Sequence, residues 1–226
     1  MSYFGLCKGM KDLKIPNLQE ISPYKGFFAD FYDSYVQYNF DVDIYLELIG
    51  LYGTNVLEFG CGSGRITIPL LRKGVNVTGI DTSADMVNLL FQKAINIPKK
   101  PDIILADIMK YVSNETFDIV ILAEGTLCHF HTLPEKNKVF SNAYQSLRKG
   151  GVFVFNYLDL DPKTMASHEK PPRYLFNRKE KKYVIVTEKL DIENQKTILN
   201  LYGECTAPRC QDTNLKKLSY APFCMY

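Results

Sequence analysis

Val56-Leu57-Glu58-Phe59-Gly60-Cys61-Gly62-Ser63-Gly64-Arg65 decides the fold. A short apolar run bounded by turn residues reads as a buried strand, and it runs straight into three glycines spaced two apart. Glycine tolerates positive φ and lets a ligand approach the backbone, while the start of the following helix offers unpaired N–H groups. A nucleotide-like ligand belongs at such a corner. The dinucleotide fingerprint G-x-G-x-x-G would need a glycine at position 65, where the chain carries Arg65, so a pyrophosphate is disfavoured. The spacing suits a turn packed against a ligand with no phosphate to cradle.

Outward from this corner, short apolar runs alternate with amphipathic stretches. Strands are predicted at 56–59, 75–80, 103–106, 117–122 and 152–156, with crossover helices at 65–73, 83–94, 107–112 and 134–148. Alternation of this kind requires parallel pairing with right-handed connections. Aromatics at helical spacing over 27–40, and apolar residues over 41–51, predict two helices before the sheet. The last third differs: 182–190 and 197–203 are strand-like and flank the polar stretch 191–196, which predicts an antiparallel hairpin. The basic cluster at 178–182 is the solvated edge of a strand.

The composition narrows the partners. With 226 residues the chain supplies one sizeable core. Its 27 basic and 25 acidic side chains give no overall field to draw it to nucleic acid or an anionic membrane, which leaves a small solute. No apolar run approaches the ~20 residues of a bilayer span, and the first ten residues lack a secretory pattern, so a cytoplasmic protein is expected. The six cysteines form no C-x-x-C pair; they are read as reduced thiols, with no metal site.

Several motifs in order make the chain similar to the class I S-adenosylmethionine-dependent methyltransferases of small-molecule type, over roughly residues 24–160. These are Glu58-x-Gly60-x-Gly62-x-Gly64, then Gly79-Ile80-Asp81, Ala106-Asp107-Ile108, Phe117-Asp118-Ile119-Val120 and Leu147-Arg148-Lys149-Gly150-Gly151-Val152. The resemblance implies an α/β, three-layer Rossmann-like sandwich with a mostly parallel sheet, to which the C-terminal antiparallel hairpin is added. It implies S-adenosylmethionine as cofactor. Asp81 would accept the ribose hydroxyls. Asp107 would meet the adenine amino group, with Ile108 and Met86 on either side of the ring. Glu58 would order the turn near the methionyl ammonium; Thr82 and Ala123 complete the expected lining. Arg65 either faces the methionyl carboxylate or is an exposed arginine of the first helical turn. Tyr32 either is an aromatic lid or packs with Phe28 and Phe31.

The acceptor side falls in Leu122-Ala123-Glu124-Gly125-Thr126-Leu127-Cys128-His129-Phe130-His131, after the fourth strand of the expected sheet. Ligands in open α/β sheets sit beyond the carboxyl ends of the strands. The resemblance makes His129 the candidate catalytic residue, touching substrate or the cofactor's amino-acid part; the alternative is a histidine that caps a loop. The Asn/Asp-Pro-Pro-Tyr/Phe motif of nucleic-acid amino methyltransferases is absent at this position, and a single glutamate stands where protein-arginine enzymes place two. The expectation is therefore a methyl transferase for a small molecule, nitrogen ahead of oxygen or carbon, acting as monomer or homodimer. A non-catalytic S-adenosylmethionine-binding or interaction protein is the alternative.

One methyltransferase domain is expected over 1–226: a helical cap at 1–53, a cofactor-binding core at 54–160, and an extension at 161–226. Only 70 residues follow Asn156. Either the hairpin supplies the terminal strands of the family sheet, or it is a substrate-covering insert and the usual last helix and strand are missing. The second is preferred because 161–173 has a poor helical pattern and two adjacent prolines. It predicts an exposed sheet edge, and with it marginal stability or an oligomer.

Overall fold

The computed structural model describes residues 3–14, 18–36, 39–123, 125–156, 169–177, 182–191, 196–205 and 216–224. Glu124, the basic cluster up to residue 181 and Cys210 lie outside them. The chain divides into two compact units, Met1–Val36 with Asp159–Tyr226, and Gln37–Leu158. The expected cap at 1–53 is thus split, its first part belonging with the C-terminal segment and its last helix with the parallel sheet.

The first unit begins with α1 (Gly5–Asp12), β1 (Leu18–Glu20), α2 (Gly26–Ala29) and α3 (Tyr32–Tyr35). The helix expected over 27–40 is therefore two single turns. Pieces this short cannot hold themselves as helices in water. What holds them is the burial of Phe27, Phe28 and Phe31 against Val184, Val186 and Leu201.

The second unit is the α/β sandwich. It runs α4 (Val42–Tyr52), β2 (Asn55–Phe59), α5 (Thr67–Arg72), β3 (Asn76–Asp81), α6 (Ala84–Ala94), β4 (Asp102–Leu105), β5 (Phe117–Leu122), a 3-10 turn (Thr126–His129), α7 (Leu133–Ser146) and β6 (Leu147–Phe155). The five strands lie in the order β4-β3-β2-β5-β6, every pair parallel. Alternation along the central strands builds one core on each face. Val56, Val77, Ile119 and Ile121 pack with α4 and α5 residues such as Tyr45, Ile49 and Leu70, while Leu57, Phe59, Val120 and Leu122 pack with Val139 and Ala143 of α7. The helices start where the sequence provides caps: the Ser83 hydroxyl accepts the Met86 N–H, and Thr132 with Glu135 forms a capping box at α7.

The crossover helix expected at 107–112 is a turn instead. The Asp107 carboxylate accepts the Met109 N–H, and the Lys110 and Tyr111 N–H groups both bond the Asp107 carbonyl. An aspartate that bonds its own backbone two residues on competes with the helix, and six residues give too little helix to outweigh it.

The first unit is completed by β7 (Glu169–Asn177), β8 (Lys182–Asp191), β9 (Lys196–Cys205) and β10 (Lys216–Cys224), in the order β1-β10-β9-β8-β7. The expected hairpin is the β8/β9 pair, in register from Lys182↔Cys205 to Asp191↔Lys196. It sits inside a larger sheet. β7 joins β8 antiparallel with an irregularity between Lys170 and Arg173, where the two prolines fall, and β1 joins β10 in parallel. One face of this sheet carries the Phe27 cluster; the other packs Ile185 and Tyr202 against Tyr3 and Cys7 of the N-terminal segment.

Candidate functional site

In the second unit the chain passes from β2 outward to β3 and β4, then returns to the opposite side of β2 as β5. The carboxyl ends of β2 and β5 are therefore the point where strand order reverses, which is where open α/β sheets bind ligands. The glycine turn of residues 60–64 and the loop after β5 meet there. A Cβ placed on Gly60, whose φ is 75°, would come within 2.7 Å of the Thr126 methyl. Gly64 has φ 86°, and a Cβ there would lie 2.9 Å from Ile68 and Leu90. Both positions need positive φ and lack room for a side chain. Gly64→Ala should lower stability by about 2–4 kcal/mol, the sum of backbone strain and overpacking; denaturant unfolding of the whole chain measures it.

The turn is held on one side by β3. The Gly60 and Cys61 N–H groups both bond the Ile80 carbonyl, at 2.8 and 3.0 Å. Asp81, the last residue of β3, accepts the Gly62 N–H on Oδ2 and the Ser83 N–H on Oδ1, each at 2.8 Å. Burial raises its pKa, and the Ser83, Gly62 and Thr82 N–H groups oppose that rise. Asp81 is thus aimed at the glycine turn and not at bulk solvent.

Glu58 is buried on β2, and the Thr67 hydroxyl donates to its Oε2 at 2.5 Å. Desolvation pushes its pKa up to about 8, Asp81 adds to the rise, and Thr67 and Arg65 work against it. Burial, with the Glu58 and Asp81 charges nearby, keeps the Cys61 thiol protonated. Arg65 was expected either to face a ligand carboxylate or to stand exposed. The structure gives it a buried fork on Asp41: Nη1 to Oδ1 is 2.5 Å and Nη2 to Oδ2 is 2.8 Å.

The other expected lining residues of this unit are placed as follows. Met86 on α6 is buried, and its terminal methyl would lie 3.6 Å from a Cβ on Gly62. Ile108 is buried and its carbonyl accepts from Asn142 Nδ2 at 2.6 Å. Asp107 is partly exposed. Thr82 is exposed, whereas Ala123 is buried and its carbonyl accepts both the Thr126 N–H and hydroxyl. His129 ends the 3-10 turn. Its ring keeps an exposed surface, yet the protein mass around it and then His131 push its pKa down to about 4. The exposure limits how far desolvation can act, so the direction is what matters: the ring is neutral at pH 7. Tyr32 belongs to the other unit, where its ring centroid stands 5.9 Å from Tyr24, and Phe28 and Phe31 are in the core.

Thr67, Thr126 and Asp41 were not legible as site residues. Their roles depend on contacts across 9, 66 and 24 positions of chain, to Glu58, Gly60 and Arg65. No metal-binding group of three or more His, Cys, Asp or Glu occurs among the described residues, nor a helix long and apolar enough to cross a membrane.

The residues present fit a nucleoside that carries an amino-acid tail. A carboxylate at a strand end suits vicinal hydroxyls, a buried glutamate suits an ammonium, and the glycine corner admits backbone approach. Comparison with known proteins points the same way. Residues 56–151 match the family described as "Methyltransferase domain". An "Uncharacterized methyltransferase" of Bacillus cereus (strain 03BB102) is 31% identical over 144 residues, 58% of this chain and 66% of its own. YqeM of Bacillus subtilis (strain 168) is 29% identical over 103 residues, 45% of this chain and 41% of its own. The chain thus spans about two fifths to two thirds of the length of these curated relatives. Among solved structures, S-adenosylmethionine-bound CalS10, an amino pentose methyltransferase from Micromonospora echinaspora, has a TM-score of 0.66 at 15% identity, covering 90% of this chain and 84% of that one. At that identity the likeness speaks for the fold.

Proposed function

We propose that the chain, whose residues 56–151 match the methyltransferase-domain family, is a class I S-adenosylmethionine-dependent methyltransferase that methylates an amine nitrogen of a small molecule. The observation that carries the reading is Asp81, whose carboxylate closes the glycine turn at the switch point of the sheet. The solved structures of similar fold include a sugar N-methyltransferase, KedS8 from Streptoalloteichus, and the proposed acceptor class is of the same kind.

When bound, the cofactor supplies an activated methyl group, so the protein has little covalent chemistry to perform. Its tasks are to hold the ribose at Asp81, to set the ammonium near Glu58, and to line up the acceptor from the loop after β5. Alignment of this kind supplies up to about 7–11 kcal/mol in favourable cases. His129, neutral at pH 7 and at the end of the loop after β5, is the residue we assign to take the proton that an ammonium acceptor must lose.

Two measurements test this. Calorimetry with S-adenosylhomocysteine should show binding, and no heat or thermal shift at millimolar ligand overturns the cofactor assignment. Incubation with labelled S-adenosylmethionine and a panel of amines, sugars and phenols should then label an amine; binding without turnover on any acceptor class favours an interaction protein. With an active amine, His129→Ala should lower kcat by about 10²-fold, the usual worth of a positioned base. At saturating cofactor and amine, the wild-type kcat should show no fall through the ordinary imidazole range, because depression of the His129 pKa keeps the base form populated. A rate that falls with an apparent pKa near 6.5 in both wild type and variant assigns the titration to another group.

A further inference from the structure

Resting on that reading, we propose that Asp41 is a positioning residue for the cofactor turn, acting through Arg65. The turn has two ends. Its entry is fixed on β3 by the Ile80 carbonyl and the Asp81 carboxylate. Within it the Gly64 N–H bonds the Cys61 carbonyl, and the Ile68 N–H bonds the Gly64 carbonyl as α5 begins. No strand pairing holds the exit, where Arg65 follows Gly64 directly. The exit is tied to the start of α4, because Asp41 immediately precedes Val42 and grips both terminal nitrogens of Arg65.

The geometry is that of a bidentate carboxylate–guanidinium pair, which fixes orientation as well as distance. The two side chains are 8% and 13% exposed, so water does not compete freely for either. Tyr45, one turn along α4, bonds Asp41 as well, and burial followed by the Asp41 charge pushes its pKa up to about 12. Asp41 is thereby held from its own helix while it holds Arg65. The pair has a second consequence at the site. With both terminal nitrogens on Asp41, Arg65 acts on Glu58 through its charge, and Glu58 keeps the Thr67 hydroxyl as its hydrogen-bond donor.

The experiment compares S-adenosylhomocysteine affinity by calorimetry, well below each thermal midpoint, in wild type, Arg65→Lys, Asp41→Asn, Asp41→Glu and the double variant Asp41→Asn/Arg65→Gln. Arg65→Lys keeps the charge and loses the fork, and should weaken affinity by about tenfold. Asp41→Asn should do the same, and Asp41→Glu, which restores the carboxylate, should recover to within about threefold of wild type. The double variant leaves no unpaired buried charge and should be no weaker than the worse single variant, the signature of residues acting as a unit. It also stands in for a single variant that fails to fold. Affinities within twofold of wild type alongside lowered thermal midpoints would overturn the proposal, leaving the pair a support of the fold alone. A wild-type chain that binds no S-adenosylhomocysteine removes the cofactor reading itself, and the role of Asp41 with it.

Discussion

Asp81→Ala is expected to weaken S-adenosylhomocysteine binding by about 1–3 kcal/mol, tenfold for each 1.4 kcal/mol, as loss of a charged hydrogen-bond partner does. Two effects combine in that figure. On the proposed reading the ribose would lose its acceptor, and the turn loses its tie to β3, because both carboxylate oxygens bond backbone N–H groups, those of Gly62 and Ser83. The second effect also lowers stability: Asp81 is one-third or less exposed, and the Gly62 donor is left without its partner. Asp81→Asn separates the two contributions. The amide keeps the shape and one acceptor oxygen, but it presents an NH2 group to a backbone donor, so the turn is strained while the cavity stays filled. Calorimetry for affinity and thermal unfolding for stability should show both variants impaired in binding, with alanine the more impaired. Affinity equal to wild type in both would take Asp81 out of the site.

The parallel sheet was legible because each of its strands carries a local signal. The runs at 56–59 and 117–122 put apolar residues on both faces, as a strand covered by two helical layers requires, and the observed cores on the two faces of β2 and β5 bear this out; the run at 103–106 carries the same signal although β4 is an edge strand with Leu105 exposed. The glycine turn was legible for the same reason, since the positive φ values at Gly60, Gly62 and Gly64 are demands on single residues. The second sheet was not. Leu18-Gln19-Glu20 has no strand pattern of its own and becomes a strand by pairing with Leu218 and its neighbours, some 200 positions later. β7 contains two adjacent prolines, which count against a strand until an edge position with an irregular register accommodates them. The reading of Arg65 stopped short on similar grounds: an arginine after a glycine turn shows its charge in the sequence, whereas its partner Asp41 is supplied by how α4 packs. What sequence reasoning recovers here is residues with local duties, and what it misses is pairings between distant segments.

Glu58→Gln should make the protein more stable and a poorer binder at the same time, and that pairing of signs is the sharpest test of the site. In the unfolded chain a glutamate titrates near 4.5, whereas in the fold desolvation raises the Glu58 value to about 8. Between those values the folded state retains a proton that the unfolded state has released, so stability falls as pH rises from about 4.5 to about 8. Below that window both states are protonated, above it both are ionised, and the slope disappears. Glutamine keeps an oxygen to accept from the Thr67 hydroxyl and carries no charge to desolvate. Its gain over wild type should therefore be absent near pH 4.5 and grow as pH rises toward about 8, read as a rising thermal midpoint relative to wild type. Binding should move the other way. A ligand ammonium at Glu58 favours the carboxylate, so wild-type affinity for S-adenosylhomocysteine should rise between pH 6 and 8, and Glu58→Gln should lose that rise along with about tenfold in affinity at pH 8. Equal affinity in variant and wild type at pH 8, together with the stability gain, would show that Glu58 serves the turn and not the ligand, and would move the ammonium elsewhere in the site.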